Sequence, residues 1–322
     1  MSGDSLTGYI AIEGGTMNKH FVITADWHLR EDMPVSRNDP DWLETQQNAI
    51  NYVMNYADMH DADVCVDGDI FHRSHVHPSL VSIFLNSTMN YRKHVYIMPG
   101  QHDLPHHNMD YAPRSSFGNI WGIANQRRTS LLPVSDLGYF IPFGTLEDKI
   151  YEDVHTDFVF IHQLTFASKK DMPPTDEAIL ASELCERFPY ARFICLGDNH
   201  HHFLYTPNDI QQVINPGCFL RQSAELINYK AGFYHIHIFG SGVADVDINF
   251  IEIPDQGSVS NDHLTKEKER DDRIEAFVSS LEKDSSLSLD FVENLRGQMP
   301  SVKPDVKAVV EDLISDMEGG NI

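Results

Sequence analysis

Short hydrophobic runs recur along this 322-residue chain, and five of them stop at a cluster of acids, amides and histidines. The clusters read Thr-Ala-Asp26-Trp-His28, Asp67-Gly-Asp69-Ile-Phe-His72, Pro-Gly100-Gln101-His102-Asp103, Phe-Ile-His162 and Gly197-Asp198-Asn199-His200. A run of four to six apolar residues that ends at a turn is the mark of a buried strand. Buried strands that deliver polar groups at one end are what an open α/β sheet presents to a ligand. A fold that carries these clusters must bring several strand ends together.

The intervening segments support that arrangement. Phe21–Ala25 reads as a first strand. Leu43, Gln46, Gln47, Ile50, Val53, Met54 and Ala57 then share a helical face over residues 41–58. Ala62–Val66 is a second strand, Pro78–Tyr91 a second helix with proline in its first turn, and His94–Met98 a third strand. This β-α-β-α-β alternation implies parallel pairing. Residues 104–135 are hydrophilic and read as irregular, a lid or lateral loop around Trp121. Further strands are expected at Gly138–Pro142, Asp157–His162, Phe193–Leu196, Gln211–Asn215, Gly232–Phe239 and Val246–Ile253. The last two alternate polar and apolar residues, as half-exposed antiparallel strands do. The expected fold class is α/β, a four-layer α/β/β/α sandwich with a short helical C-terminal extension.

Composition sets further bounds. With 41% hydrophobic residues the chain can bury a full core. No apolar run is long enough to span a membrane, and no secretory signal pattern is present, so no membrane association is expected. Cys65, Cys185, Cys195 and Cys218 lack CxxC spacing and read as structural thiols of a reducing cytoplasm. Residues 1–16 read as a flexible leader, with Met17 a candidate start. Residues 17–254 form the main domain and 255–272 a charged linker. Residues 273–322 are a helical extension carrying apolar faces at Ile274, Phe277, Val278 and Leu281, and at Val306, Val309, Val310, Leu313, Ile314 and Met317. Those faces suit packing on one another or on a partner helix. A homodimer through the helices after the first motifs is compatible with their apolar spacing, as is simple core packing.

The chemistry follows from ligand types. Alternate residues at a strand end turn to one side, so Asp26 and His28 can share an ion. Asp69, after a tight glycine turn, can bridge two ions about 3.5–4 Å apart. Gln101, His162 and Asp198 complete a second site, and His200 returns to the first. Oxygen and imidazole donors in this mixture suit two divalent ions, with Mn²⁺ or Mg²⁺ favoured over zinc. His102 is then free to protonate a leaving oxygen, with Asp103 to orient it, and His72 is placed to touch the substrate. Any one of these motifs alone is commonly a polar turn. His75, His77, His106, His107, His201 and His202 read as surface residues or mere neighbours of the site.

Taken together the motifs resemble the calcineurin-like metallophosphoesterase superfamily, whose pattern is D-x-H, G-D, G-N-H-D, H and G-H-x-H. More narrowly the chain is similar to SbcD-type double-strand-break repair nucleases, particularly bacteriophage relatives. That likeness rests on Gly68-Asp69-Ile-Phe-His72 and on Asn215-Pro216-Gly217-Cys218-Phe219-Leu220-Arg221-Gln222-Ser223, and it spans about residues 19–240. It implies a manganese-dependent exonuclease and endonuclease acting on DNA in repair or recombination. It also implies a substrate contact from Arg221, an SMC-like ATPase partner of SbcC type, and the cytoplasm of a bacterial host. Gln101 stands where asparagine is usual and Asp198 where the first histidine of G-H-x-H is usual. The formal charge of -24 runs against tight phosphate-backbone binding by this chain alone. A phosphatase or cyclic-nucleotide phosphodiesterase is the alternative enzyme, and a non-catalytic scaffold the alternative outside enzymes.

Overall fold

A computed structural model describes residues 18–175, 178–208, 210–240, 245–254, 257, 259–283 and 291–318. The expected leader 1–16 and the candidate start at Met17 lie outside them. The chain divides into two compact units, one ending at Val259 and the other beginning at Ser260.

The first unit opens with β1 (Lys19–Thr24), α1 (Trp42–Met59), β2 (Ala62–Asp67), α2 (Pro78–Thr88), β3 (Val95–Met98), α3 (Ser116–Ala124), β4 (Leu131–Pro133) and β5 (Tyr139–Ile141). It continues with β6 (Phe158–His162), β7 (Thr165–Phe166), β8 (Ile179–Leu180), α4 (Ala181–Arg187), β9 (Phe193–Gly197), β10 (Phe203–Tyr205), β11 (Gln212–Asn215), β12 (Gly232–Ile238) and β13 (Val246–Glu252). One sheet runs β13-β12-β1-β2-β3-β4, and a second runs β10-β11-β9-β6-β5. Strands β1 to β4 are parallel, as the alternation with helices requires, whereas β12 and β13 add antiparallel to β1.

The two sheets meet face to face. Phe21, Ile23, Cys65 and Met98 of the first pack against Phe158, Phe160, Phe193 and Ile214 of the second. The outer face of the first sheet is covered by α1, α2 and α3 through Ile50, Val53, Leu80, Phe84, Phe117 and Ile120. The outer face of the second is covered by α4 through Leu184 and Cys185. This is the expected α/β/β/α order. Each fully buried aliphatic or aromatic side chain contributes about 1.5–3 kcal/mol over exposure, so the three apolar layers dominate the stability. The apolar faces of α1 and α2 are thereby covered within one copy of the chain. Local chemistry sets the ends: Asp41 caps α1 by accepting the Glu44 N–H at 3.0 Å, a contact worth about 1 kcal/mol.

Three expectations need correction. Residues 104–135 are not an irregular lid, because α3 buries Phe117, Ile120 and Ala124 against the first sheet. Strand β12 is not half-exposed: lying between β1 and β13, it buries every residue but His237 below the surface. Residues 262–272 are not linker either. In the second unit α5 (Asp262–Lys283) already includes them, followed by α6 (Phe291–Gln298) and α7 (Pro304–Glu318). Their Lys, Glu and Arg side chains are good helix formers and need no apolar stripe to stay helical once the helix is anchored further along. Leu295, Met299, Val306, Val310 and Ile314 form that unit's own core, with Ile274 and Phe277 packed against it. The helices therefore pack on one another. Side chains of Val278, Leu281, Leu313 and Met317 lie outside the described set. Among the described residues no helix is long and apolar enough to cross a membrane.

Candidate metal centre

The turns after β1 and β2 run side by side. Asp26 N–H donates to Gly68 O at 3.2 Å, His28 N–H to Asp69 O at 2.9 Å and Leu29 N–H to Ile70 O at 2.9 Å. Asp26, His28 and Asp69 all take positive φ, at 51°, 44° and 50°, and Asp198 joins them at 83°. A side chain in this left-handed region costs about 1–2 kcal/mol, and Asp tolerates it better than most residues. Four such residues gathered at one place mark a site whose geometry is held by its surroundings. Trp27, fully buried between Asp26 and His28, is one of those supports: its ring stacks on Phe219 at 4.6 Å and its indole N–H donates to Thr24 Oγ1 at 3.0 Å.

The ligand atoms converge on Asp69. Its Oδ2 lies 3.4 Å from His162 Nε2 and 3.7 Å from His28 Nε2, while its Oδ1 accepts the His102 backbone N–H at 2.8 Å. His28 Nε2 is 3.2 Å from His200 Nε2, and His162 Nε2 is 3.9 Å from Asp26 Oδ1. Among the described residues three groups are compact enough to hold an ion: Asp26, His28 and His200; Asp26, Asp69 and His162; and His28, Asp69 and His102. The first is the set expected around one ion; the second gathers Asp26 and Asp69 with His162, where Gln101 and Asp198 were expected beside it. The third is a difference, since it puts His102 within reach of the same cation as His28.

Gln101 and Asp198 are also brought together. Gln101 Nε2 donates to Asp198 Oδ1 at 2.5 Å, and the Asp198 backbone N–H donates to both Asp26 oxygens at 3.1 and 3.2 Å. This leaves Gln101 Oε1 buried with no hydrogen-bond partner, as are Asp69 Oδ2 and His162 Nε2. Buried polar atoms are rarely left unsatisfied, and Asp69 Oδ2 and His162 Nε2, 3.4 Å apart, fit a cation between them, with Gln101 free to add a third donor. The His162 ring is preset for this. Its Nδ1 lies 2.8 Å from Asp67 O, an arrangement that fixes the N–H there and turns the Nε2 lone pair inward.

The electrostatics agree. Burial disfavours a charged His162, yet the Asp69 carboxylate, then Asp26 and Asp198, raise its pKa to about 10. A centre that draws a proton so strongly offers the same field to a metal. Burial pushes Asp26 well above the usual carboxylate range, with Asp69 and Asp198 adding to the rise, because negative charge is in excess there. Burial also holds His28 and His200 below the usual imidazole range, as neutral donors. His72 is pushed down to about 4 by burial, then by the charges of Arg30, His102 and Arg73.

Gly100 is required at its place. A Cβ there would stand 2.2 Å from Asp69 Oδ1 and 2.5 Å from its backbone nitrogen.

Two residues expected at the site are engaged elsewhere. Asp103 does not orient His102: its carboxylate accepts the backbone N–H groups of Ile70 at 3.1 Å, Phe71 at 2.9 Å and Gly100 at 3.0 Å. It clamps the Asp69 turn to the following loop, fully buried, and burial with the Asp69 charge raises its pKa to about 7. Arg221 is drawn to its own neighbourhood, donating to Ile227 O at 3.0 Å and Gly257 O at 3.3 Å. The reach from that loop to the site is made by Gln222, whose amide donates to Trp27 O and His28 O at 3.2 Å each.

The sequence also left two features unassigned. The first is the pair of cations, Arg30 and Arg73, whose charges act on His72. The second is a cavity of about 840 Å³ beside the centre, lined among others by Gln101, His102, Phe143, Gln163, Arg187 and Asp198. His107, expected to be a surface residue or a neighbour of the site, is exposed and lines it too.

No family model matches the chain, and no curated protein matches it. Among solved structures, the fold is similar to the crystal structure of a dimetal phosphatase from Danio rerio. The two share 11% identity at a TM-score of 0.40, over 73% of this chain and 99% of that one.

Proposed function

We propose that the chain is a two-metal phosphodiesterase acting on DNA. The observation that carries this is Asp69, whose Oδ2 faces His28 Nε2 on one side and His162 Nε2 on the other at 3.7 and 3.4 Å. A carboxylate so placed suits a bridge between two ions. Asp26, His28 and His200 would hold one ion; Gln101, His162 and Asp198 would hold the other, and the oxygen-rich second set would favour Mn²⁺ or Mg²⁺. When bound, the pair supplies Lewis acidity and neutralises charge on the phosphate.

The remaining steps belong to the chain's own residues. Arg73, and Arg30 with its ion-pair partner Asp32, bring charge close to His72 beside the centre, where positive potential would favour a phosphate against the net charge of -24. His72, kept neutral, donates or accepts a hydrogen bond at the substrate. His102, half-buried beside His28 at 4.9 Å between ring centres, delivers a proton to the departing oxygen.

The motif likeness to SbcD-type nucleases supports DNA as substrate, and the helical unit from Asp262 onward offers a place for an SMC-like ATPase. The acidic balance favours the second reading, a phosphatase or cyclic-nucleotide phosphodiesterase. The test is side-by-side hydrolysis of end-labelled linear DNA, a cyclic nucleotide and a phosphoprotein in Mn²⁺. Preferential DNA cleavage is expected, and turnover of only the other two would overturn the DNA assignment.

A further inference from the structure

We infer that the 840 Å³ cavity beside the centre is a nucleoside pocket, with Phe143 as the face on which the base of the nucleotide at the scissile phosphate stacks. This rests on reading the centre as a phosphoesterase and adds what the phosphate must carry.

Position is the first argument. The Phe143 ring centre lies 6.5 Å from that of His162, whose Nε2 faces Asp69 at 3.4 Å. His107 stands edge-on to Phe143 at 6.2 Å, and the His102 ring is 6.4 Å from His107. A base attached to a phosphate at Asp69 therefore falls within one nucleotide's reach of these rings.

The chemistry of the walls is the second argument. The volume lies within the range of small-molecule sites, about 300–1,000 Å³. Phe143 is half-buried, and Leu164 and Ile179 extend the apolar wall beside it. Gln101 and Gln163 bring amides to the lining, Glu183 brings a carboxylate, and Arg187 brings a guanidinium that also pairs with Asp148 at 3.0 Å. A flat apolar face bordered by amide and carboxylate hydrogen-bonding groups suits a base and its sugar, with the phosphate left to the centre. A phosphoserine or phosphothreonine side chain has no ring to place there. Nucleic-acid-binding proteins use aromatic rings in this way because every base has a face to stack.

The experiment is calorimetric titration of the Mn²⁺-loaded full chain with thymidine 5′-monophosphate and, separately, with methyl phosphate. The wild type should bind the nucleotide more tightly. Phe143→Ala should reduce the ratio of the two dissociation constants by roughly 5- to 150-fold, the range for losing one base–aromatic stack. Phe143→Tyr should restore it, which separates stacking from damage to the fold. Equal binding of the two ligands by wild type, binding of neither, or a ratio unmoved by Phe143→Ala would each overturn the pocket. Failure of the enzyme reading looks different. Nucleotide preference lost in Phe143→Ala, in a protein that cleaves no phosphodiester, would keep the pocket and reject the activity. Diester cleavage without nucleotide preference would do the reverse.

Discussion

Two histidine clusters sit at opposite ends of β1, and their neighbours make them different devices. Beyond its C-terminal end, His28, His72, His102 and His200 surround Asp69 and Asp26 on left-handed turns. Toward its start, His20 lies 3.0 Å from His235 (Nδ1 to Nε2) and stacks on His237 at 4.1 Å, with His60 near His235 at 4.8 Å. There the Tyr56 hydroxyl meets His235 Nδ1 at 3.1 Å, and the charge of Asp61 acts on His20 without outweighing burial and the neighbouring imidazoles. Imidazoles gathered around buried carboxylates hold cations. Imidazoles gathered around one another repel protons: burial, then His60, His20 and His237, push His235 down to about 4. The ring type is shared, and the residue between the rings decides the outcome.

The largest expected effect tests the carboxylate. Asp69→Asn should remove metal-dependent hydrolysis altogether, by 10³-fold or more, while the His20–His235 cluster stays intact. Wild-type turnover in that variant would collapse the contrast. His102→Gln should lower turnover by roughly 10²–10⁴-fold, the range for lost acid–base help. Measuring Mn²⁺ affinity in the same variant sharpens its role, because an unchanged affinity assigns His102 to proton transfer and a weakened one to coordination. Gly100→Ala should also depress activity, since a methyl 2.2 Å from Asp69 Oδ1 must displace the carboxylate, and metal titration should show weaker binding.

The smallest effect belongs to the other cluster. His235 is neutral in the folded protein and titrates near 6.5 when unfolded. Its contribution to stability is therefore complete above pH 6.5 and is lost as pH falls from 6.5 toward 4. His20, also lowered, chiefly by burial and then by His237 and His60, acts in the same direction. His235→Phe should flatten the fall in melting temperature over that window by a few degrees, followed by circular dichroism, with activity at neutral pH retained. A large loss of activity would mean that the two clusters are coupled.

Much of this was legible beforehand. The strand-end motifs could be read because buried apolar runs fix a strand, and a carboxylate at its end is costly unless it is used. The α3 segment is harder to read: Phe117, Ile120, Trp121 and Ala124 have helical spacing, but Gly118, Gly122 and polar flanks mask it. Adjacency to His102 suggests a partner for Asp103, whereas a distant turn offers it the N–H groups of Ile70 and Phe71 and its own loop that of Gly100. Phe143 left no trace in the sequence. An aromatic residue on a loop acquires meaning only when the fold carries it to His162, and nothing in its neighbours' identities encodes that distance.

The centre straddles the seam of the sandwich. Asp26, His28 and Asp69 come from the first sheet, His162, Asp198 and His200 from the second. An ion held by both would act as a rivet, so occupancy and mechanical integrity become one variable. At a free ion concentration a thousand times its dissociation constant, such a rivet adds about 4.1 kcal/mol to unfolding. Chelation should then loosen the interface between the sheets, and amide exchange at β6 and β9 would register the ion before any substrate is added.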